Sequence, residues 1–407
     1  LNCQVAEVSK FDRKSYFYPD MPKAYQLSQF FLPLGKKGYI EIEIGNATRK
    51  IGIDIMHMEE DAGKLAHEEG ASYSYVDLDR AGVPLVEIVS APDIRSAEEA
   101  WLYLNRLRTT LQYIGVSDCK MEEGSLRCDI NISLRPEGSQ KFGTKAEIKN
   151  LGSFRAVRRA IEYEEQRQSE ILNQGGTIQQ ETRRWDEARG VTAFMRGKTE
   201  NRYGVEPDLA PVIIGQDWIT SIKESLPELP GARKARYISE FELPAYDADV
   251  LTSSKALSDF YEECTSFYHD PKTVSNWIMV ELMGVMNETG VEINQLKFRP
   301  KQLADMLNLI DKGTISGKMA KDVFREMFET GKAPEKVIEE KGLVQISNEA
   351  EIVEIAQKAI DNNPKSVEDY RKGKGKALGF LVGQVMKETK GRANPQMANE
   401  VLKKLLG

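Results

Sequence analysis

Cysteine and histidine are scarce in this chain: 407 residues carry four of the first and three of the second. Cys3, Cys119, Cys128 and Cys264 are widely spaced and include no Cys-x-x-Cys pair. That spacing argues against a cysteine zinc site and against a disulfide framework, and it fits a reducing, cytoplasmic compartment (an organellar matrix in a eukaryote). His57, His67 and His269 are too scattered for a histidine-rich metal centre. No apolar run approaches the ~20 residues of a membrane span. No signal peptide is visible. Neither Gly-x-x-x-x-Gly-Lys-Ser/Thr nor Gly-x-Gly-x-x-Gly occurs, and Gly373-Lys-Gly-Lys376 lacks a preceding strand. Any use of ATP must therefore rest on another scaffold. The opening Leu1-Asn-Cys-Gln-Val-Ala6 reads as the middle of an element, so an N-terminal segment is expected to be missing.

What is present describes a globular protein of two or three domains, with 41% hydrophobic and 29% charged residues. The net charge of −7 argues against coating nucleic acid with the whole surface. Its distribution is uneven. Residues 362–407 hold ten Lys/Arg against four Asp/Glu, a local +6 that leaves −13 on the rest. A basic C-terminal module on an acidic body suggests one localised contact with an anionic partner; a solvated lysine-rich helical end is the plainer alternative.

The most informative run is Leu126-Arg-Cys-Asp-Ile-Asn-Ile-Ser-Leu-Arg135. Side chains alternate faces along a strand, so Leu126, Cys128, Ile130, Ile132 and Leu134 share one face. Arg127, Asp129, Asn131, Ser133 and Arg135 share the other. Thr144–Asn150 repeats the device with Lys145, Glu147 and Lys149. Two neighbouring strands offering cations, carboxylates and amides resemble the floor of a site for a charged substrate. A solvated outer face of an antiparallel sheet would look the same.

Residues 1–215 read mainly as β with interspersed helices. Tyr39–Ile44 and Ile51–Ile55 alternate around Gly45-Asn46, a hairpin signature. Ser96 and Glu99 read as a capping box ahead of a helix carrying Trp101, Leu104, Leu107, Leu111 and Ile114. A second helix spans about Phe154–Leu172 and stops at Gly175-Gly176. The two helices are expected to cover one face of the sheet, an α+β layout. Residues 216–344 read as helical, including Thr273–Met286 and Pro300–Ile310. Residues 345–407 follow Val344-Gln-Ile-Ser347 as a small helical tail.

Several clusters could carry chemistry. His57-Met-Glu-Glu-Asp61 concentrates Glu59, Glu60 and Asp61 at a strand end, oxygen ligands of the kind Mg²⁺ favours, or else a solvated acidic loop. Glu87 sits in the apolar run Val83–Val89 and is expected to be buried, paired either with a metal or with the segment Asp77-Leu-Asp-Arg80. Glu122 and Glu123 add carboxylates beside the polar strand face. Arg183, Arg184 and Arg196 precede Glu206-Pro-Asp208. Guanidinium forks suit phosphate oxygens, although surface arginines are common.

Together these segments resemble the B subunit of the tRNA-dependent glutamyl/aspartyl amidotransferase, the GatB family. The resemblance rests on Lys10–Asp20 (KFDRKSYFYPD), His57–Lys64 (HMEEDAGK), Asp77–Ser90, Lys120–Asp129 (KMEEGSLRCD), Gly143–Asn150 and Glu206-Pro-Asp208. It continues through Leu243–Ala248 and Gly373–Gln384 and spans nearly the whole chain. It implies an antiparallel β-rich cradle, a helical domain and a YqeY-like helical tail that grips tRNA. It also implies ATP- and Mg²⁺-dependent phosphorylation of the acyl carboxylate of Glu-tRNA(Gln) and/or Asp-tRNA(Asn). Ammonia then amidates the acyl group. It is channelled from a glutaminase, the A subunit, and the C subunit ties the other two together.

By resemblance, Glu60 and Glu87 match metal-binding glutamates, with Glu59 not separable from Glu60. Lys14 and Lys23 match lysines near the ammonia channel. Strand geometry adds Arg127, Asp129, Asn131, Lys145, Glu147 and Lys149 for the acyl-phosphate site. Arg183, Arg184, Arg196 and Glu206 are the phosphate or ATP candidates, and Arg371, Lys372, Lys374 and Lys376 the tRNA contacts. Three departures stand out: a Gly-Leu-Glu-Val-His strand whose histidine ligates metal is missing, Asp79 replaces the usual Asn, and Asn201–Val205 replaces a longer aromatic segment. Two other readings stay open: a non-catalytic tRNA-binding scaffold, and a carboxylate–metal enzyme acting on a small substrate with the tail as a dimerisation module.

Overall fold

Alternating isoleucines build the centre of the N-terminal half. Strand β4 (Gly35–Ile44) and β5 (Ala47–Glu60) pair antiparallel from Gly35↔Met56 to Ile44↔Ala47. Ile40, Ile42, Ile51 and Ile53 all point to one face and are buried, each contributing about 1.5–3 kcal/mol by leaving water. The computed structural model describes residues 1–45, 47–68, 70, 72–197, 202–343, 349–389 and 392–407. Asn46 of the expected turn, Asn201 of the expected loop, Val344–Ser347 and Lys390 lie outside the described residues.

Short β1 (Gln4–Val5) flanks β4, and β8 (Pro84–Ser90) flanks β5, so the sheet order is β1-β4-β5-β8. A second sheet runs β12 (Val191–Gly197), β11 (Glu181–Asp186), β10 (Ala146–Lys149), β9 (Ile130–Ile132). It is antiparallel except for the parallel pair β10–β11. A third sheet sets β2 (Val8–Ser15) between β3 (Tyr25–Leu32), β13 (Tyr203–Val205) and β14 (Val212–Ile213). The hairpin β6 (Lys64–His67) and β7 (Ser74–Asp77) stands by itself.

Helix α1 (Ala97–Tyr113) starts at Ser96, whose hydroxyl accepts from the Glu99 N–H. The reciprocal half of the expected capping box is absent, because the Glu99 carboxylate binds Arg49 and the Arg95 N–H instead. Helix α2 (Phe154–Asn173) is capped by Ser153. Leu104 and Leu107 of α1, Val157 and Ile161 of α2, the β4–β5 isoleucines, Ile148 and Trp185 form one core, so both helices cover the first two sheets. This is the expected α+β layout with largely antiparallel sheets.

The chain separates into two compact units, Leu1–Leu229 and Pro230–Gly407. Described elements of the second unit are helical and hold two cores. One runs from Tyr237 to Ile338 around Leu251, Tyr261, Leu303 and Phe324. The other gathers Ile352, Leu381, Val385, Val401 and Leu402 from the C-terminal helices. Among the described residues no helix is long and apolar enough to cross a membrane.

Candidate functional site

Two consequences of strand geometry build the site. The first is period two along β5, which puts His57 and Glu59 on one face and Glu60 on the other. The second is register: His57 lies opposite Glu87 of β8. His57 Nε2 is 3.1 Å from Glu59 Oε1 and 3.0 Å from Glu87 Oε2. His57, Glu59 and Glu87 each bring one ligand atom into a group within 4.8 Å.

Glu59 is 6% exposed and fully engaged. Lys14 Nζ donates to it at 3.2 Å, Ser28 Oγ at 2.8 Å and Gln26 Nε2 at 2.9 Å. Burial alone would raise its carboxyl. The His57 hydrogen bond, the Lys14 charge and the Ser28 hydroxyl outweigh that and hold it at about 2. Burial alone would likewise favour a neutral His57, but its bonds to Glu59 and Glu87 raise it to about 9. The site thus has an excess of negative charge, which a proton on His57 or, in its place, a bound cation would balance. The other ring nitrogen, Nδ1, is buried with no partner. Two carboxylates and one imidazole fit a hexacoordinate divalent cation that keeps several waters, as Mg²⁺ does.

Glu60 belongs elsewhere. Its carboxylate accepts from Lys23 Nζ, at 2.7 Å to Oε2, and from the Leu27 N–H. The geometry therefore sets Glu59 with His57 and Glu87, and Glu60 with Lys23. Lys14 and Lys23 thus pair with consecutive residues of β5.

Glu87 departs from expectation. It is 49% exposed rather than buried, because β8 is the outer strand of its sheet. Its partner is His57, not the Asp77–Arg80 segment. Arg80 instead faces Asp61, which also receives Arg127.

The other part of the site is the second sheet. The expected strand over 126–135 shortens to Ile130–Ile132, an edge strand bonded only through β10. The alternation holds beyond the ladder: Leu126, Cys128 and Ile130 pack toward the core while Arg127, Asp129 and Asn131 stay exposed. Asn131, Glu147, Thr182 and Arg196 lie in register across four strands. Thr182 Oγ1 donates to Glu147 Oε2 at 2.7 Å. Lys149 Nζ binds Asp129 and lies 3.4 Å from Glu147. Burial would raise the Glu147 carboxyl; the Thr182 hydroxyl and the Lys149 charge pull it below its usual range.

Both parts line one cavity of about 3100 Å³. Lys14, Glu59 and Glu87 line it, as do Arg127, Asp129, Asn131, Lys145, Glu147, Lys149 and Arg196. Glu60, Lys23, Arg183, Arg184 and Glu206 are not among its lining residues. Arg183 turns to the helix side, where it binds Glu164 and Glu181. Glu206 forms a two-bond pair with Arg13. In the tail, Lys372 pairs with Glu368 and Lys374 with Asp369, whereas Arg371 and Lys376 make no ion pair among the described residues.

Sequence reasoning set His57 aside with the other scattered histidines. The spacing His57-x-Glu59 on an alternating strand was the available signal; the register to Glu87 was not readable. Gln26 and Ser28, which hold Glu59, carried no signal of their own.

Comparison with known proteins bears on this arrangement. The GatB/GatE catalytic domain family matches residues 1–220, and the GatB domain family matches residues 259–406. The B subunit of the aspartyl/glutamyl-tRNA(Asn/Gln) amidotransferase of Carboxydothermus hydrogenoformans is 57% identical over 99% of this chain and 85% of its own length. The protein of the same name from Thermoanaerobacter pseudethanolicus is 58% identical over 100% of this chain and 86% of its own. That of Geobacillus kaustophilus is 56% identical with the same coverages. With both halves matched and identity sustained end to end, the chain belongs to the GatB family of tRNA-dependent amidotransferase subunits.

Proposed function

We propose that this chain uses ATP and Mg²⁺ to phosphorylate the side-chain carboxylate of Glu-tRNA(Gln), Asp-tRNA(Asn) or both. Ammonia then attacks the acyl carbon and phosphate leaves, giving Gln-tRNA or Asn-tRNA. The observation that carries the reading is a shared cavity: Glu59 and Glu87 of the His57–Glu59–Glu87 cluster and a cation-bearing strand row all line it. Phosphoryl transfer needs positioning and charge neutralisation rather than a covalent nucleophile, and this lining offers those parts.

Glu59 and Glu87, with His57 as third donor, would hold Mg²⁺, which when bound neutralises charge on the phosphates. Lys149, held between Asp129 and Glu147, keeps a fixed cation on the second sheet. Lys145 lines the same cavity without an ion pair among the described residues and is available to an anionic group. Lys14 and Lys23, each tied to a carboxylate, would border the ammonia path in this reading. Ammonia must arrive unprotonated, so it needs a route shielded from water. The glutaminase (A) and linking (C) subunits are the partners in this reading, and the setting is cytoplasmic. Residues 1–215, 216–344 and 345–407 serve as cradle, helical domain and tRNA-binding tail.

The reaction is tested with both partner subunits, Glu-tRNA(Gln), ATP and Mg²⁺, supplying ammonium salt in place of glutamine. Gln-tRNA(Gln) formed with one ADP per amide is the expected result. Amidation that proceeds without ATP would overturn the reading.

The tail makes a second, separable prediction. Arg371→Ala and Lys376→Ala should each weaken tRNA binding and reduce the slope of log affinity against log salt by about one. Lys372→Ala and Lys374→Ala should do less, because both side chains already pair with carboxylates. Filter binding across a salt series decides it, and equal effects from all four changes would contradict the assignment.

A further inference from the structure

Between β2 and β3 the chain makes a tight loop that holds aromatic rings out in water. Its neck is closed by the Ser15 N–H to Arg202 O and the Tyr16 N–H to Ala24 O, both 2.9 Å. Inside it, the Met21 N–H donates to Tyr18 O and the Ala24 N–H to Met21 O. Tyr16 and Tyr18 pack with ring centroids 5.0 Å apart. On this braced frame Phe17 is 78% exposed and Tyr18 48%. Both rings line the cavity rather than pack into a core, so their faces are open to a ligand there.

A cation meets the rings, and two more line the same cavity. Arg196 Nη1 donates to Tyr18 Oη at 3.1 Å, while its Nε is buried with no partner. Arg196, Arg202 and Lys145 all line the cavity, and none makes an ion pair among the described residues. Lys14, which reaches Glu59, is four residues from Tyr18, at most ~14 Å along extended chain. The rings share their cavity with Glu59 and Glu87, so a base on the rings would leave its phosphates in the same cavity as these cations and carboxylates.

We infer that Phe17 and Tyr18, with Arg196 beside them, form a stacking shelf for an adenine base at the edge of the catalytic cavity. This deepens the nucleotide reading above and rests on it. Adenosine reaches such a cavity from two sources, ATP itself and the unpaired 3′-terminal adenosine that carries the acyl group on every tRNA. Base–aromatic stacking tolerates either. Arg196 holds the Tyr18 ring through its hydroxyl, so Tyr18→Phe, which keeps the ring and loses that anchor, should weaken binding less than Tyr18→Ala does.

The test is equilibrium binding, not turnover, so it stands apart from the amidation reaction. The assembled protein carrying Phe17→Ala with Tyr18→Ala is titrated with ATP–Mg²⁺ and, separately, with a short acceptor-stem RNA ending in CCA. Loss of ATP affinity by about fivefold or more, with RNA binding retained, assigns the shelf to ATP. The reverse pattern assigns it to the tRNA end. Both affinities unchanged overturns the shelf. Phe17→Ser alone, at the more exposed position, repeats the test should the double variant fold poorly. If native protein binds neither probe but amidates, the shelf fails while the proposed function survives. If it binds ATP through these rings yet forms no amide, the opposite holds.

Discussion

Glu87→Gln is expected to lower amidation at least ~100-fold while moving the melting temperature by no more than about 2 °C. The asymmetry follows from where Glu87 sits. It stands on the outer strand of its sheet, half exposed, and His57 is its one ion-pair partner among the described residues. Surface changes of that kind stay within about 0.5 kcal/mol, which is a degree or two for a unit of this size. Its role in the cluster is far larger. In the proposed site, removing one carboxylate would leave Glu59 as the remaining carboxylate for a cation, and it takes away one of the two carboxylates that orient His57. Loss of one preorganised electrostatic partner commonly costs about 10²–10³ in rate. Thermal melting and tRNA binding, measured on the same sample as amidation, give the check. A parallel loss of tRNA binding or of stability would mean Glu87 supports the fold rather than the chemistry.

Glu164→Leu is expected to produce the opposite pattern, a large loss of stability at a residue far from exposed chemistry. Glu164 of α2 is 0% exposed. It accepts two bonds from Arg167, one from Gln168 at 3.0 Å and one from the Thr192 hydroxyl, and Arg183 lies 3.2 Å away. Removing one member of such a buried group leaves Arg183 and Arg167 with only the Glu181 carboxylate between them. That costs about 3–5 kcal/mol, or roughly 6–20 °C in melting temperature. Glu164→Leu combined with Arg183→Met should recover part of the loss, because an apolar pair of similar volume removes the orphaned charge.

The same site has a signature in pH. Burial would raise the Glu164 carboxyl, but Arg167, Thr192 and Gln168 outweigh burial and hold it below the ordinary range. A lowered folded-state value contributes stability that is fully present above the unfolded carboxylate's pKa. It is lost as pH falls through the folded one. Melting curves from pH 7 down to pH 3 should therefore fall less steeply for Glu164→Leu than for the native chain. Equal slopes would contradict a charged Glu164.

Much of the site's chemistry was legible, and the misses have physical causes. Alternation along Leu126–Arg135 and Thr144–Asn150 identified which side chains share a face, because face assignment depends only on period two. It could not give the length of the paired strand. That depends on neighbours, and β9 has one only on its β10 side. Glu87 looked buried because an apolar run cannot reveal whether its strand is central or outermost. Glu59 and Glu60 were inseparable by composition, yet alternation on β5 sends them to different partners once His57 is paired with Glu87. The guanidinium of Arg183 was read as a phosphate fork. Its partner Glu164 lies nineteen positions upstream on another element, a contact that no local pattern contains.

Central to the proposed function is an acyl phosphate, which would form on the acyl carboxylate in the cavity that Glu59 and Glu87 line. Glu-tRNA(Gln) carrying oxygen-18 in its side-chain carboxylate tests it most directly. One oxygen-18 atom is expected in each released inorganic phosphate, dependent on ATP and lost with Glu87→Gln. Amide formed while the phosphate stays unlabelled would contradict the acyl phosphate.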